Sequence, residues 1–144
     1  MFLGTYHVQV ASGRRVFIPA PLRTNLGENL IIAKWYEECL VLIPEDSWKA
    51  LYKRLTGEQK IIVSPIRDTE RFILSSAYEA SPDEQGRIVI PEGLATYAKF
   101  TKEISFIGVG DRVEVWDAKI WEEKQLKLSK EASQLIERLA KNEK

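Results

Sequence analysis

The residues with the most chemistry to offer in this chain are arginines grouped beside a glycine. Arg14 and Arg15 follow Ser12 and Gly13, with Arg23 a little further on. From Met1 to Gly27 there is no Asp or Glu, so that stretch carries +3. A guanidinium contacts phosphate oxygens or pairs bidentately with guanine O6 and N7. An acid-free arginine loop is therefore a candidate nucleic-acid contact, with an exposed solubility pair as the plainer alternative. A second loop, Asp83-Glu84-Gln85-Gly86-Arg87, places a carboxylate and a guanidinium four residues apart. The two can bridge across a tight bend that Gly86 permits. Asp83 and Glu84 make a poorer acid/base pair, because no histidine or nucleophile accompanies them.

Other reactive side chains point to structure. Cys39 is the single cysteine and lies in Cys39-Leu40-Val41-Leu42-Ile43, so it reads as a buried structural thiol suited to a reducing cytoplasm. His7 is the only histidine, and no carboxylate cluster stands in for a metal site. No phosphate-binding glycine loop, Cys/His zinc pattern or serine-nucleophile elbow occurs. No cofactor, small-molecule substrate or enzymatic activity is expected. The 144 residues are 44% hydrophobic and 29% charged with zero net charge, a soluble globular balance. No apolar run approaches the roughly 20 residues that a bilayer span requires. Zero net charge argues against a uniformly basic nucleic-acid binder, but basic groups gathered on one face and repeated across an assembly still suffice.

The elements that must position these loops come in two copies. Arg15-Val16-Phe17-Ile18-Pro19 recurs as Arg87-Ile88-Val89-Ile90-Pro91, an offset of 72, and Leu22 matches Leu94. Leu40-Val41-Leu42 then matches Val113-Glu114-Val115 and Trp48 matches Trp121 at 73, as if one residue were inserted between the blocks. In the first copy, Tyr6–Val10 and Val16–Ile18 read as strands flanking the arginine loop. Pro19 and Pro21 open a short helix carrying Leu22 and Leu26, which Gly27 stops. Leu30–Ala33 and Cys39–Ile43 form a hairpin, and Asp46 or Ser47 caps a helix through Trp48, Leu51 and Leu55. The second copy repeats this with Tyr78–Ser81, Ile88–Ile90, a helix near Glu92–Phe100, and strands Ile104–Val109 and Arg112–Trp116 turning at Gly110-Asp111. The spans 56–64 and 66–76, broken at Pro65, suggest a solvated helical connection. A C-terminal helix follows Ala118, its Trp121, Leu128, Ala132, Leu135 and Leu139 spaced as one seam that packs on the body or on a neighbouring subunit. Its last turn, Lys141–Lys144, is expected to fray. Trp48, Trp116 and Trp121 read as core. Trp35 and Tyr36 read as a subunit contact in preference to a base-stacking surface.

Several motifs, taken in order, resemble the MraZ family over essentially the whole chain. They are Met1-Phe2-Leu3-Gly4-Thr5-Tyr6, Cys39-Leu40-x-x-x-Pro44-x-x-x-Trp48, Asp83-x-x-Gly86-Arg87-Ile88-x-Ile90-Pro91 and Gly108-x-Gly110-Asp111-Arg112-x-Glu114-x-Trp116. The first loop departs from the pattern: without a gap, Ala11 stands where the family has Asp and Arg14 where it has Gly. The other registration takes Gly13-Arg14 as the family pair and inserts a residue before Val16. The ungapped version is preferred because the duplicated strand then aligns cleanly.

The resemblance implies a mainly β chain with short helices (α+β), made of two AbrB-like β-β-α-β-β halves. These would form an intramolecular pseudo-dimer barrel, with a C-terminal helix added. On that plan, residues 1–55 and 77–124 are the halves, 56–76 connects them and 125–144 is a helical tail. It further implies a DNA-binding transcriptional regulator, usually a repressor of the division and cell-wall gene cluster. Such a protein binds repeated promoter sites in double-stranded DNA as a ring-shaped homo-oligomer, in the cytoplasm at the nucleoid. Its DNA contacts would be Ser12, Gly13, Arg14, Arg15 and Arg23, with Asp83, Gly86 and Arg87 a structural loop in the second repeat. An AbrB-like interaction module of antitoxin type is the competing reading, disfavoured by two halves in one chain and an amphipathic tail.

Overall fold

The computed structural model describes residues 1–56 and 64–142. The first repeat contributes β1 (Thr5–Gln9), β2 (Arg15–Phe17), α1 (Ala20–Leu26), β3 (Leu30–Lys34), β4 (Leu40–Pro44) and α2 (Glu45–Thr56). Helix α3 (Ser64–Leu74) leads into β5 (Tyr78–Ala80), β6 (Arg87–Val89), α4 (Glu92–Tyr97), β7 (Glu103–Gly108), β8 (Val113–Asp117) and α5 (Ala118–Asn142). Pro19 and Pro91 occupy the N-cap positions of α1 and α4, where a missing N–H costs nothing, and Gly27 ends α1 at φ 78°. Helix α2 starts at Glu45, so Asp46 and Ser47 lie in its first turn and do not cap it. The Leu55 side chain, most of the expected 56–64 connection, and Glu143 and Lys144 of the fraying end lie outside the described residues.

The two repeats interleave their strands. Six form one antiparallel sheet in the order β1-β7-β8-β4-β3-β5, and β2 and β6 form a separate two-stranded ribbon. Strand β1 of the first repeat pairs with β7 of the second, and β5 of the second with β3 of the first. In the ribbon, Arg15 faces Val89, Val16 faces Ile88 and Phe17 faces Arg87, a register symmetric about its centre. The β4–β8 ladder is likewise symmetric, with Leu40 facing Val115 and Leu42 facing Val113. The expected pseudo-dimer barrel is not seen as a closed sheet: among the described residues the large sheet is open, ending at β1 and β5. The ribbon strands hydrogen-bond to each other and do not bridge the edges. Each is only three residues long and runs into a proline, whose missing N–H ends the ladder.

The ladders also refine the repeat. Leu30 and Ile104 hold equivalent places, each opposite its hairpin partner (Pro44, Asp117) and its cross-repeat partner (Ala80, Val8), at an offset of 74. Strands β4 and β8 then align at 73. Two residues are therefore gained after α4 and one is lost in the β7–β8 hairpin, in place of a single insertion.

The sheet is covered on both faces, which is why its central strands read as nearly continuous apolar runs. Leu30, Ile32, Leu40, Leu42, Ile104, Phe106, Val113 and Val115 pack toward Val16, Ile18, Leu22, Ile88, Ile90 and Leu94 of the ribbon and the short helices. Ile31, Ala33, Val41, Ile43, Ile107 and Trp116 face the other way, onto Leu51, Ile73, Ile120 and Trp121 from α2, α3 and α5. Each fully buried Leu or Ile contributes about 1.5–3 kcal/mol, so the first layer anchors the ribbon firmly. Helix α3 is more than a solvated connection, because Ile73 is buried and the Ser76 hydroxyl beside it accepts from the Lys34 N–H at 2.9 Å. Trp35 is 3% exposed, whereas Tyr36 is exposed. Cys39 is buried and unpaired, and burial pushes its thiol up, leaving no thiolate at neutral pH. Trp48 and Trp121 are only partly buried against the second cluster, and Trp116 is buried.

Candidate nucleic-acid interface

The ribbon is where the two loops meet. Its strands alternate, so Val16 and Ile88 point into the core while Arg15, Phe17, Arg87 and Val89 stand on the outer face. Because the strands are antiparallel, the first loop lies at one end of the ribbon and the second at the other. The four residue steps from Arg14 to Ile18 separate them by roughly 13 Å.

Main-chain hydrogen bonds decide how the loops correspond. Ala11 N donates to Arg15 O at 2.8 Å, and Asp83 N donates to Arg87 O at 2.9 Å. Ile90 N donates to Arg14 O and Ile18 N to Gly86 O, both at 2.9 Å. Ala11 therefore holds the place of Asp83, and Arg14 that of Gly86, as the ungapped registration has it. Arg14 sits at φ 58° where Gly86 sits at 80°. An L residue in that left-handed region costs roughly 1–2 kcal/mol.

In the second loop Asp83 is saturated. Its Oδ1 accepts from the Gln85 and Arg87 main-chain N–H groups, both at 2.9 Å, and its Oδ2 accepts from Arg87 Nε at 3.1 Å. Those donors, the Arg87 N–H foremost, hold the Asp83 carboxyl below the usual carboxylate range. Arg87 is thus bound to an acid and half-buried. In the first loop Ala11 has nothing to accept with. Arg15 is exposed, and its Nη1 reaches only the Ser12 carbonyl at 3.1 Å. Among the described residues no carboxylate meets it.

Arg14 and Arg23 are already engaged. Arg14 Nε donates to the Ile90 carbonyl at 2.9 Å, and Arg23 Nη1 to the equivalent Ile18 carbonyl at 3.1 Å. Arg23 also lies over the Phe17 ring, 4.8 Å from its centroid, and fills the space a Cβ at Gly86 would need. It therefore clamps the second loop onto the ribbon and is itself only partly buried. The structure gathers Ser12, Gly13, Arg14 and Arg15 at one end of the face and Arg23 with Asp83, Gly86 and Arg87 at the other. The sequence reading had not singled out Phe17 and Val89, which are 43% and 50% exposed on this face. The available signal was the alternation through Arg15-Val16-Phe17 and Arg87-Ile88-Val89.

Among the described residues no group of three or more His, Cys, Asp or Glu is placed to hold a metal ion, and no helix is long and apolar enough to cross a membrane.

The class these features define is a duplicated α+β protein whose copies interleave strands and present an arginine-bearing β-ribbon. A profile described as "MraZ protein, putative antitoxin-like" matches residues 1–63 and again 73–142, once for each repeat. A protein of Carboxydothermus hydrogenoformans is 39% identical over 127 residues, 84% of this chain and 84% of the relative. Relatives from Caldanaerobacter subterraneus, covering 85% of each chain, and Clostridium tetani, covering 85% of this chain and 86% of its own, are also 39% identical. All three are named "Transcriptional regulator MraZ". This chain belongs to the MraZ family.

Proposed function

We propose that this chain regulates transcription by binding double-stranded DNA sequence-specifically through the first-repeat end of its β-ribbon. The observation that carries the reading is the contrast between Arg15, exposed and without a carboxylate partner, and Arg87, held by Asp83. The names of its relatives support the regulatory role. A two-stranded ribbon fits the major groove, where Arg15 can reach guanine or phosphate and the Phe17 ring can lie against a thymine methyl. Ser12 and Gly13 bring the main chain close to the phosphates. Arg14 and Arg23 add positive charge while fixing the loops to the ribbon. One such end per chain is a small contact, so affinity arises from several copies facing successive repeated sites. By family resemblance the assembly is a ring, the sites lie upstream of the division and cell-wall gene cluster, and the outcome is repression. The protein then works in the cytoplasm, at the nucleoid.

The test is a fluorescence-anisotropy titration against duplex DNA from upstream of the chain's own gene, over a salt series. A scrambled duplex and an Arg14→Ala/Arg15→Ala variant run alongside. Saturable, site-preferring binding that weakens with salt and collapses in the variant is the expected result. Equal binding of both duplexes at low salt would remove the sequence-specific claim. The antitoxin-like description of the family profile would then carry more weight, and the partner would be a protein.

A further inference from the structure

The two ends of the ribbon differ beneath the loops as well as within them. Arg23 in α1 and Ala95 in α4 hold equivalent places at the repeat offset of 72. Their N–H groups donate to the carbonyls of Pro19 and Pro91 at 2.9 and 3.0 Å. Under the second loop the long Arg23 side chain fills the space between helix and bend and serves the Ile18 carbonyl. Under the first loop the helix offers only the methyl of Ala95, and the equivalent Ile90 carbonyl is served from the loop itself, by Arg14 Nε. Space that a guanidinium occupies at one end is thereby left open at the other, as a cavity of about 380 Å³ beside Arg14.

The lining indicates what fits. The floor is apolar: Ile90 is buried, and Val10, Ala95 and Phe100 are half-buried around it. Arg14, Glu92 and Lys99 carry the charge on the rim. Lys99 Nζ is taken by Glu38 at 2.7 Å, whereas among the described residues neither Arg14 nor Glu92 has an ion-pair partner. One free charge of each sign therefore stands over an apolar floor. A polyphosphate or dicarboxylate would bring surplus negative charge beside Glu92, and a polyamine surplus positive charge beside Arg14. A small zwitterion with an apolar body satisfies every surface. Its carboxylate accepts from the Arg14 Nη groups, its ammonium donates to Glu92, and its side chain covers Val10, Ala95 and Phe100. The volume is at the small end of ligand sites, which suits one amino acid better than a peptide. We propose that this cavity binds a free amino acid with an apolar side chain. Bound there, its carboxylate neutralises Arg14 in the DNA-facing loop and lowers DNA affinity. That consequence, unlike the binding itself, rests on the DNA-binding reading.

Isothermal titration of the full chain with L-phenylalanine and L-leucine, in the absence of DNA, tests the site. Saturable binding is expected. Phenylpropionate and phenethylamine, which each keep one of the two charges, should bind severalfold more weakly than phenylalanine. Glu92→Gln, an exposed substitution, should weaken phenylalanine binding severalfold and leave phenylpropionate unchanged. Ala95→Arg supplies at the first end the side chain that Arg23 supplies at the second, and should abolish binding, with circular dichroism confirming that the variant is folded. No saturable binding of either amino acid, or single-charge analogues that bind as well as phenylalanine, overturns the proposal. Binding untouched by Glu92→Gln or by a folded Ala95→Arg does the same. Anisotropy with DNA separates the two readings. DNA affinity unchanged by saturating phenylalanine overturns the coupling, and a chain that binds the amino acid but no DNA supports the cavity while overturning the regulator reading.

Discussion

The two loops of the ribbon are tied down by the same main-chain hydrogen bonds but differ in their bends, with Gly13 and Arg14 both left-handed in the first and Gly86 alone in the second, and in the residue that opens them. Each begins with a residue whose N–H donates to the arginine carbonyl four positions on, and each reaches a left-handed residue just before its strand. In the second, Asp83 collects three donors and holds Arg87. In the first, Ala11 collects none, and a glycine and an extra arginine occupy the bend. The same tie points thus yield one loop whose arginine is held by an acid and one with a guanidinium facing solvent. The side chain at the first loop position, a carboxylate in one loop and a methyl in the other, distinguishes the held arginine from the one open to a ligand.

The largest effect should come from removing the free arginine. Arg15→Ala is expected to weaken specific DNA binding by about 1–3 kcal/mol, roughly fivefold to 150-fold, whereas Arg87→Ala should change it several times less. Equal losses in anisotropy titrations at fixed salt would erase the proposed difference between the loops. Restoring the acid comes next: Ala11→Asp should capture Arg15 as Asp83 captures Arg87, and lower DNA affinity severalfold without unfolding the protein. An unchanged affinity would mean that the missing carboxylate is irrelevant to binding.

Gly86→Ala probes the clamp. It puts a Cβ at φ 80° into the space of the Arg23 guanidinium, so thermal unfolding should report a loss of roughly 1–2 kcal/mol.

The smallest effect is with pH. The Asp83 carboxyl is depressed, so its stabilisation of the loop is complete above the unfolded aspartate value of about 3.9 and is lost as pH falls through the lower folded value. Amide shifts of Gln85 and Arg87 should therefore titrate below that value, and Asp83→Ala should abolish the transition. The Ala11 loop should show no such step. A transition at or above the ordinary aspartate value would mean that the three donors do not hold the carboxylate in solution.

Much of this was legible before any coordinates. The repeat, the element order and the apolar runs of β3, β4, β7 and β8 are local patterns, and burial on both faces explains the runs. The Asp83-to-Ala11 exchange was readable once the ungapped registration was chosen. Less legible were groups whose roles depend on distant partners. Glu114 lies in an apolar strand pattern and is 9% exposed. It stays there because Trp116 Nε1 donates to it at 2.9 Å and Arg112 Nη2 at 3.2 Å. Arg23 looked like a free cation, yet it serves a carbonyl, a ring and the far loop.

The sequence by itself determined which residues face inward, where the chain turns, and that the first loop lacks an acid, because side-chain period, proline, glycine and charge act within a few residues. Only the tertiary structure decided that β1 joins β7, that β2 joins β6 across the repeats, and that the sheet stays open. Strand partners are selected by long-range packing, and two repeats of like plan offer each strand a partner in its own copy as well as in the other. Their interleaving places the free arginine and the bound one on a single face.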